Sequence, residues 1–92
     1  AASWTLKEEL CYAATGVENC DWDSYPILRF AETPAIEVVL IDRPNEASKG
    51  CGEAVQGPTP AAIANAVFAA SGVRLRQIPF TPNRLRTASS KT

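Results

Sequence analysis

Six consecutive positions, Ile36-Glu37-Val38-Val39-Leu40-Ile41, hold five apolar side chains, four of them β-branched, and only one polar residue. Such a run has the propensity of a strand, and successive side chains of a strand point to opposite faces. A strand apolar on both faces needs cover on both sides, or a sheet to join. Asp42-Arg43-Pro44-Asn45 closes the run with turn residues. This segment demands more structure than a chain of 92 residues has available to surround it.

The other elements predicted from the sequence are few. Ser3 to Leu10 has helical character, with Trp4 and Glu8, and Leu6 and Leu10, at i,i+4 spacing; it reads as the last two turns of a helix. Leu10–Ala13 and Val17–Cys20 flank Ala14-Thr15-Gly16 as a short hairpin. Asp21 to Pro26 forms a loop anchored by Trp22 and Tyr25, and Ile27 to Phe30 a short extended run. Thr59 offers an N-cap with Pro60 at the first helical position, Ala61 to Ser71 continue as an alanine-rich helix, and Gly72 fits its C-terminal cap. Ile63, Val67 and Ala70 line one face of that helix. Val73 to Phe80 is extended, Thr81 to Arg86 makes one short helical turn, and Thr87 to Thr92 frays. The fold class is α+β: one small incomplete unit over residues 1–92, with a short hairpin, one main apolar strand and one complete helix.

Charge and cysteine usage narrow the chemistry. Residues 1–53 carry ten acids and four bases, while residues 54–92 carry five bases and no acid. Those bases, Arg74, Arg76, Arg84, Arg86 and Lys91, are spread among prolines and apolar residues without interleaved aromatics, so nucleic acid is not the expected partner. Cys11, Cys20 and Cys51 are odd in number and irregularly spaced, and there is no histidine, which argues against a metal site built by this chain. Reduced thiols indicate a reducing compartment, hence a cytoplasmic location, with the periplasm as the alternative for a parent complex. The first residues turn polar too soon for a signal peptide, and no apolar run spans a membrane.

The richest local pattern is Lys49-Gly50-Cys51-Gly52-Glu53, followed by Pro58-Thr59-Pro60 and the alanine-rich helix. Glycines at 50 and 52 let backbone approach another group closely, and the glutamate beside them can act as a base. The run from Gly50 to Pro82 resembles the C-terminal end of the molybdopterin-binding subunit of the molybdenum hydroxylases, the xanthine dehydrogenase and aldehyde oxidase family. The bacterial isoquinoline 1-oxidoreductase and nicotinate dehydrogenase branch is the most similar. Ser3-Trp4-x-Leu6-x-Glu8-Glu9, Asp21 to Phe30 and Pro34 to Pro44 extend the resemblance over almost the whole chain.

The resemblance implies a piece of the molybdenum-cofactor-binding domain, from an enzyme that oxidises aldehydes or N-heteroaromatic rings with water-derived oxygen. It implies that Glu53 is the catalytic base, taking a proton from a metal-bound hydroxide, and that Gly50, Cys51 and Gly52 lie against the cofactor. Cys51 stands where small aliphatic or hydroxyl residues are more usual. The segments that make most pterin contacts, the substrate pocket and the iron–sulfur cysteines have no counterpart here. The molybdenum-pterin cofactor is therefore implied for the parent protein, with none expected on this chain alone, which is not expected to turn over substrate by itself. The partners implied are the remainder of the molybdenum subunit and an iron–sulfur subunit, with self-association through exposed aromatics and the strand. The alternative is a non-catalytic truncated remnant or a small protein-interaction module.

Overall fold

The computed structural model describes residues 1–91. Element order is α1 (Ala2–Leu6), β1 (Tyr12–Ala13), β2 (Gly16–Val17), a 3-10 turn (Phe30–Glu32), α2 (Pro58–Ser71) and α3 (Pro82–Ser89). The α+β class holds, and so does the expectation of a partial domain. The radius of gyration is 16.8 Å, against about 12 Å for a compact chain of this length. Accessible surface is 7738 Å², where a compact monomer of this mass exposes about 5,200 Å².

What core there is gathers on α1. Thr5 is fully buried, its hydroxyl donating to the Ala1 carbonyl at 2.9 Å. Its own carbonyl accepts the Phe80 N–H at 2.7 Å, which ties the first helix to the segment before α3. Val73 and Leu75 are buried while Arg74 and Arg76 face outward, the alternation of an extended chain. Helix α1 packs on α2, where Ile63, Ala64 and Val67 are half-buried and Ala70 is exposed.

Helix α1 is shorter than its periodicity predicts, ending at Leu6 with Lys7 as its C-terminal cap rather than running to Leu10. The propensity of Lys7 to Glu9 is a weak preference, and each side chain is taken by a distant partner. Lys7 pairs with Glu32, Glu8 accepts from the Tyr25 hydroxyl at 2.9 Å, and Glu9 meets Arg84 at 2.6 Å. The hairpin forms, trimmed to two residues a side, with Tyr12 opposite Val17, Ala13 opposite Gly16 and Ala14-Thr15 as the turn. Asn19 staples its base: the side-chain oxygen accepts from the Cys11 N–H at 2.8 Å, and the amide nitrogen donates to the Glu9 carbonyl.

Two helix boundaries also differ from expectation. Gly57 caps α2 and Pro58 opens it, so Thr59 and Pro60 lie inside the first turn. A turn from Glu53 to Gln56 already points the chain along the helix axis, and the Thr59 N–H donates to the Val55 carbonyl at 3.1 Å. The C-terminal end is as predicted, with Gly72 at φ +71° and its N–H on the Phe68 carbonyl. Helix α3 runs on to Ser89 instead of fraying after Arg86. Thr81 caps it by accepting the Arg84 N–H, and Ser89 donates to the Leu85 carbonyl. Thr92, the last residue of the predicted frayed tail, lies outside the described residues.

The largest departure is at residues 36–41. They form no strand and no backbone hydrogen bond within the described chain. Their apolar side chains are 74–88% exposed. A strand is completed by a neighbour, and no other described segment of this chain pairs with it.

Candidate functional site

The loop 46–57 is exposed along its whole length. Gly50 turns it through φ +70°, a conformation that other residues enter only with strain. Cys51 is a free, exposed thiol. Gly52 differs from Gly50 in that its φ is not positive, while a Cβ placed at either would meet nothing within 4 Å. Nothing among the described residues therefore requires glycine at position 52.

Glu53 stands at the end of this turn. Its carbonyl accepts the Gln56 N–H at 3.2 Å, which starts the turn into α2. Its carboxylate has no hydrogen-bond or ion-pair partner among the described residues. Backbone position is thus set by the glycine turn and the helix start, while the acidic group is left open to whatever approaches. Gly50, Cys51, Gly52 and Glu53 are adjacent in one exposed loop, with no second described element closing over them. Among the described residues no three His, Cys, Asp or Glu side chains come together as metal ligands. No described helix is long and apolar enough to cross a membrane.

The charged groups that are engaged lie elsewhere and hold the fold. The Lys7 ammonium, aided by the Arg29 backbone N–H, keeps the Glu32 carboxyl below its ordinary value. The Ser24 hydroxyl, then its N–H, does the same for Asp21. Donation to Glu8 raises the Tyr25 hydroxyl.

Several residues had no distinguishing signal in the sequence. Arg84 donates to the Glu9 carboxylate and, through its other terminal nitrogen, to the Pro79 carbonyl at 2.8 Å. Arg74 lies 4.2 Å over the Phe68 ring and donates to Asn65. Arg74, Arg76, Arg84 and Lys91 line one groove beside α3, although they are scattered along the sequence.

Compared with known proteins, the chain is 43% identical over 88 residues to a nicotinate dehydrogenase subunit of Pseudomonas putida, a match covering 96% of this chain and 7% of that protein. It is 38% identical over 72 residues to the aldehyde oxidoreductase molybdenum-binding subunit of Escherichia coli, covering 73% of this chain and 10% of that subunit. The xanthine dehydrogenase molybdenum-binding subunit of Escherichia coli O157:H7 is 36% identical over 88 residues, 89% of this chain and 12% of its own length. The chain thus spans about a tenth of the length of these relatives. No family profile and no solved structure matches it.

Proposed function

We propose that the chain, similar in sequence to a short segment of the molybdenum-binding subunits of the xanthine dehydrogenase and aldehyde oxidoreductase family, is the C-terminal segment of a molybdenum-dependent hydroxylase subunit, supplying Glu53 to the active site. The observation that carries this reading is identity of 43% along nearly the whole chain to a protein in which the match covers only 7%. All 92 residues act as one piece of the cofactor-binding domain, and the remainder of the subunit, with an iron–sulfur subunit, completes the enzyme.

The residues present fit a place beside the cofactor and not a cage around it. The Glu53 carboxylate is exposed and unpartnered among the described residues, and the space beside Gly52 is open. The molybdenum-pterin cofactor, when bound in the assembled enzyme, supplies the two-electron acceptor for oxidation of an aldehyde or N-heteroaromatic substrate. Glu53 takes up, on a carboxylate oxygen, the proton of the water-derived oxygen that is to be transferred. Gly50, Cys51 and Gly52 bring backbone close to the cofactor, with Gly50 setting the direction of the loop. Three exposed free thiols favour a reducing compartment, the cytoplasm, for the assembled complex, with the periplasm as the alternative.

In the assembled hydroxylase, Glu53→Gln keeps the size and polarity of the side chain and removes the base. Turnover is expected to fall by roughly 10²- to 10⁴-fold while the subunits still co-purify. Turnover that survives the substitution overturns the role given to Glu53.

A further inference from the structure

Residues 36–41 contribute nothing to the fold of the chain that carries them. Ile36, Val38, Val39, Leu40 and Ile41 are between 74% and 88% exposed, and the backbone of the segment is unpaired among the described residues. Pro34 and Pro44, which cannot donate to a ladder, bracket the run and confine any strand to the residues between them. Ile36, Val38 and Leu40 fall on one face of such a strand, Val39 and Ile41 on the other, with Glu37 the single polar residue. A strand at the surface of a sheet alternates apolar and polar, whereas one apolar on both faces lies in a sheet covered on both sides.

Two observations identify the occupant. The chain exposes 7738 Å², about 2,500 Å² more than a compact monomer of its mass, and permanent interfaces bury about 2,000–5,000 Å² over both partners. A second copy could pair along one edge of the segment but would bring the same unpaired run and no covering layer, since the sheet among the described residues is a hairpin of two-residue strands. In the relatives, by contrast, roughly nine-tenths of the polypeptide lies outside the matching segment, enough to hold a layered sheet.

We infer that residues 36–41 are an insertion strand, entering a sheet formed by the rest of the molybdenum-binding subunit, which pairs its backbone and covers both faces. The inference rests on the family reading above and names the surface by which the two pieces join. It makes the exposed apolar run the counterpart of an open sheet in the partner.

The full chain is mixed with the Pseudomonas putida nicotinate dehydrogenase subunit from which the matching 88-residue segment has been removed, and amide hydrogen exchange is followed by mass spectrometry. Exchange over 36–41 is expected to slow on the order of 100-fold in the complex, as in a paired core strand. Val39→Asp should weaken the complex by about tenfold or more, and Val39→Thr, which keeps β-branching, by no more than about threefold. Val39 is 76% exposed in the free chain, so neither change touches its fold. A complex in which 36–41 still exchange freely overturns the inference and leaves the family reading standing. Failure to form a complex with truncated subunit whose circular dichroism and cooperative unfolding show it to be folded overturns both. Protection that appears in the chain alone, and grows with its concentration, makes a second copy the occupant and overturns the inference.

Discussion

Replacing Arg84 with alanine is expected to cost the free chain about 2 kcal/mol, most of it from a carbonyl and not from the ion pair. The pair with Glu9 is close, 2.6 Å from Nη2 to Oε1, but the two side chains are 24% and 45% exposed. Solvent screening therefore limits it to about 0.5 kcal/mol. The bond from Nη1 to the Pro79 carbonyl, 2.8 Å long, reaches a buried residue on the segment that holds Leu75 and Phe80. A charge-assisted bond in that setting contributes about 1.5 kcal/mol.

Urea unfolding followed by tryptophan fluorescence reads both contributions, because Trp4 is half-buried on α1. Trp22 is 78% exposed, and Trp22→Phe removes its background. Glu9→Ala should cost about 0.5 kcal/mol, Arg84→Ala about 2, and the double variant no more than Arg84→Ala alone. At about 1 M salt, where the screening length is about 3 Å, the Glu9→Ala cost should vanish and most of the Arg84→Ala cost remain. Equal costs for the two single variants, both abolished by salt, would show that the Pro79 carbonyl bond stabilises nothing.

Other outcomes follow from the same geometry. Gly72→Ala forces a side chain into φ +71° with open space around it, so its cost of about 1 kcal/mol is purely conformational, whereas Gly52→Ala should leave the unfolding midpoint of the free chain unchanged. The Glu32 carboxyl is depressed below 4.5 by Lys7 and the Arg29 N–H; because the folded value is the lower one, its stabilisation is complete above pH 4.5 and is lost as pH falls through the folded value. Lys7→Ala should move the Glu32 titration upward, as read by carboxyl NMR, and an unmoved titration would rule out the Lys7 contribution. Leu40→Lys should raise the solubility of the free chain while shifting its stability by no more than about 0.5 kcal/mol, because Leu40 is 88% exposed; a large loss of stability would mean that the segment packs within the chain after all.

Some of this structure was legible in the sequence because it depends on a few adjacent residues. Ala14-Thr15-Gly16 reads as a turn, and Gly16 takes φ +132° there. Gly72 reads as a helix end, and no other residue enters its left-handed conformation as cheaply. The glycine loop before Glu53 was visible for the same reason, and Gly50 is where the positive φ falls. The start of α2 was misplaced by two residues because Thr59-Pro60 and Gly57-Pro58 both present acceptable first turns, and the preceding turn at 53–56 selected between them. The role of Asn19, one of many polar residues, depends on partners eight and ten positions away, which no local pattern reveals.

By itself the sequence determined the turn chemistry, the cap at Gly72, the strand propensity of 36–41 and the similarity to molybdenum-binding subunits, since each is written in residues near one another or in residue order. Tertiary structure alone decided that α1 ends at Leu6, that Thr5 is the fully buried side chain and that Arg84 joins the two ends of the chain. It also decided that 36–41 remain unpaired here. Propensity biases a segment by tenths of a kcal/mol per residue, whereas burial and pairing depend on which surfaces meet. For residues 36–41 and for Glu53, no other described residue of this chain supplies such a surface.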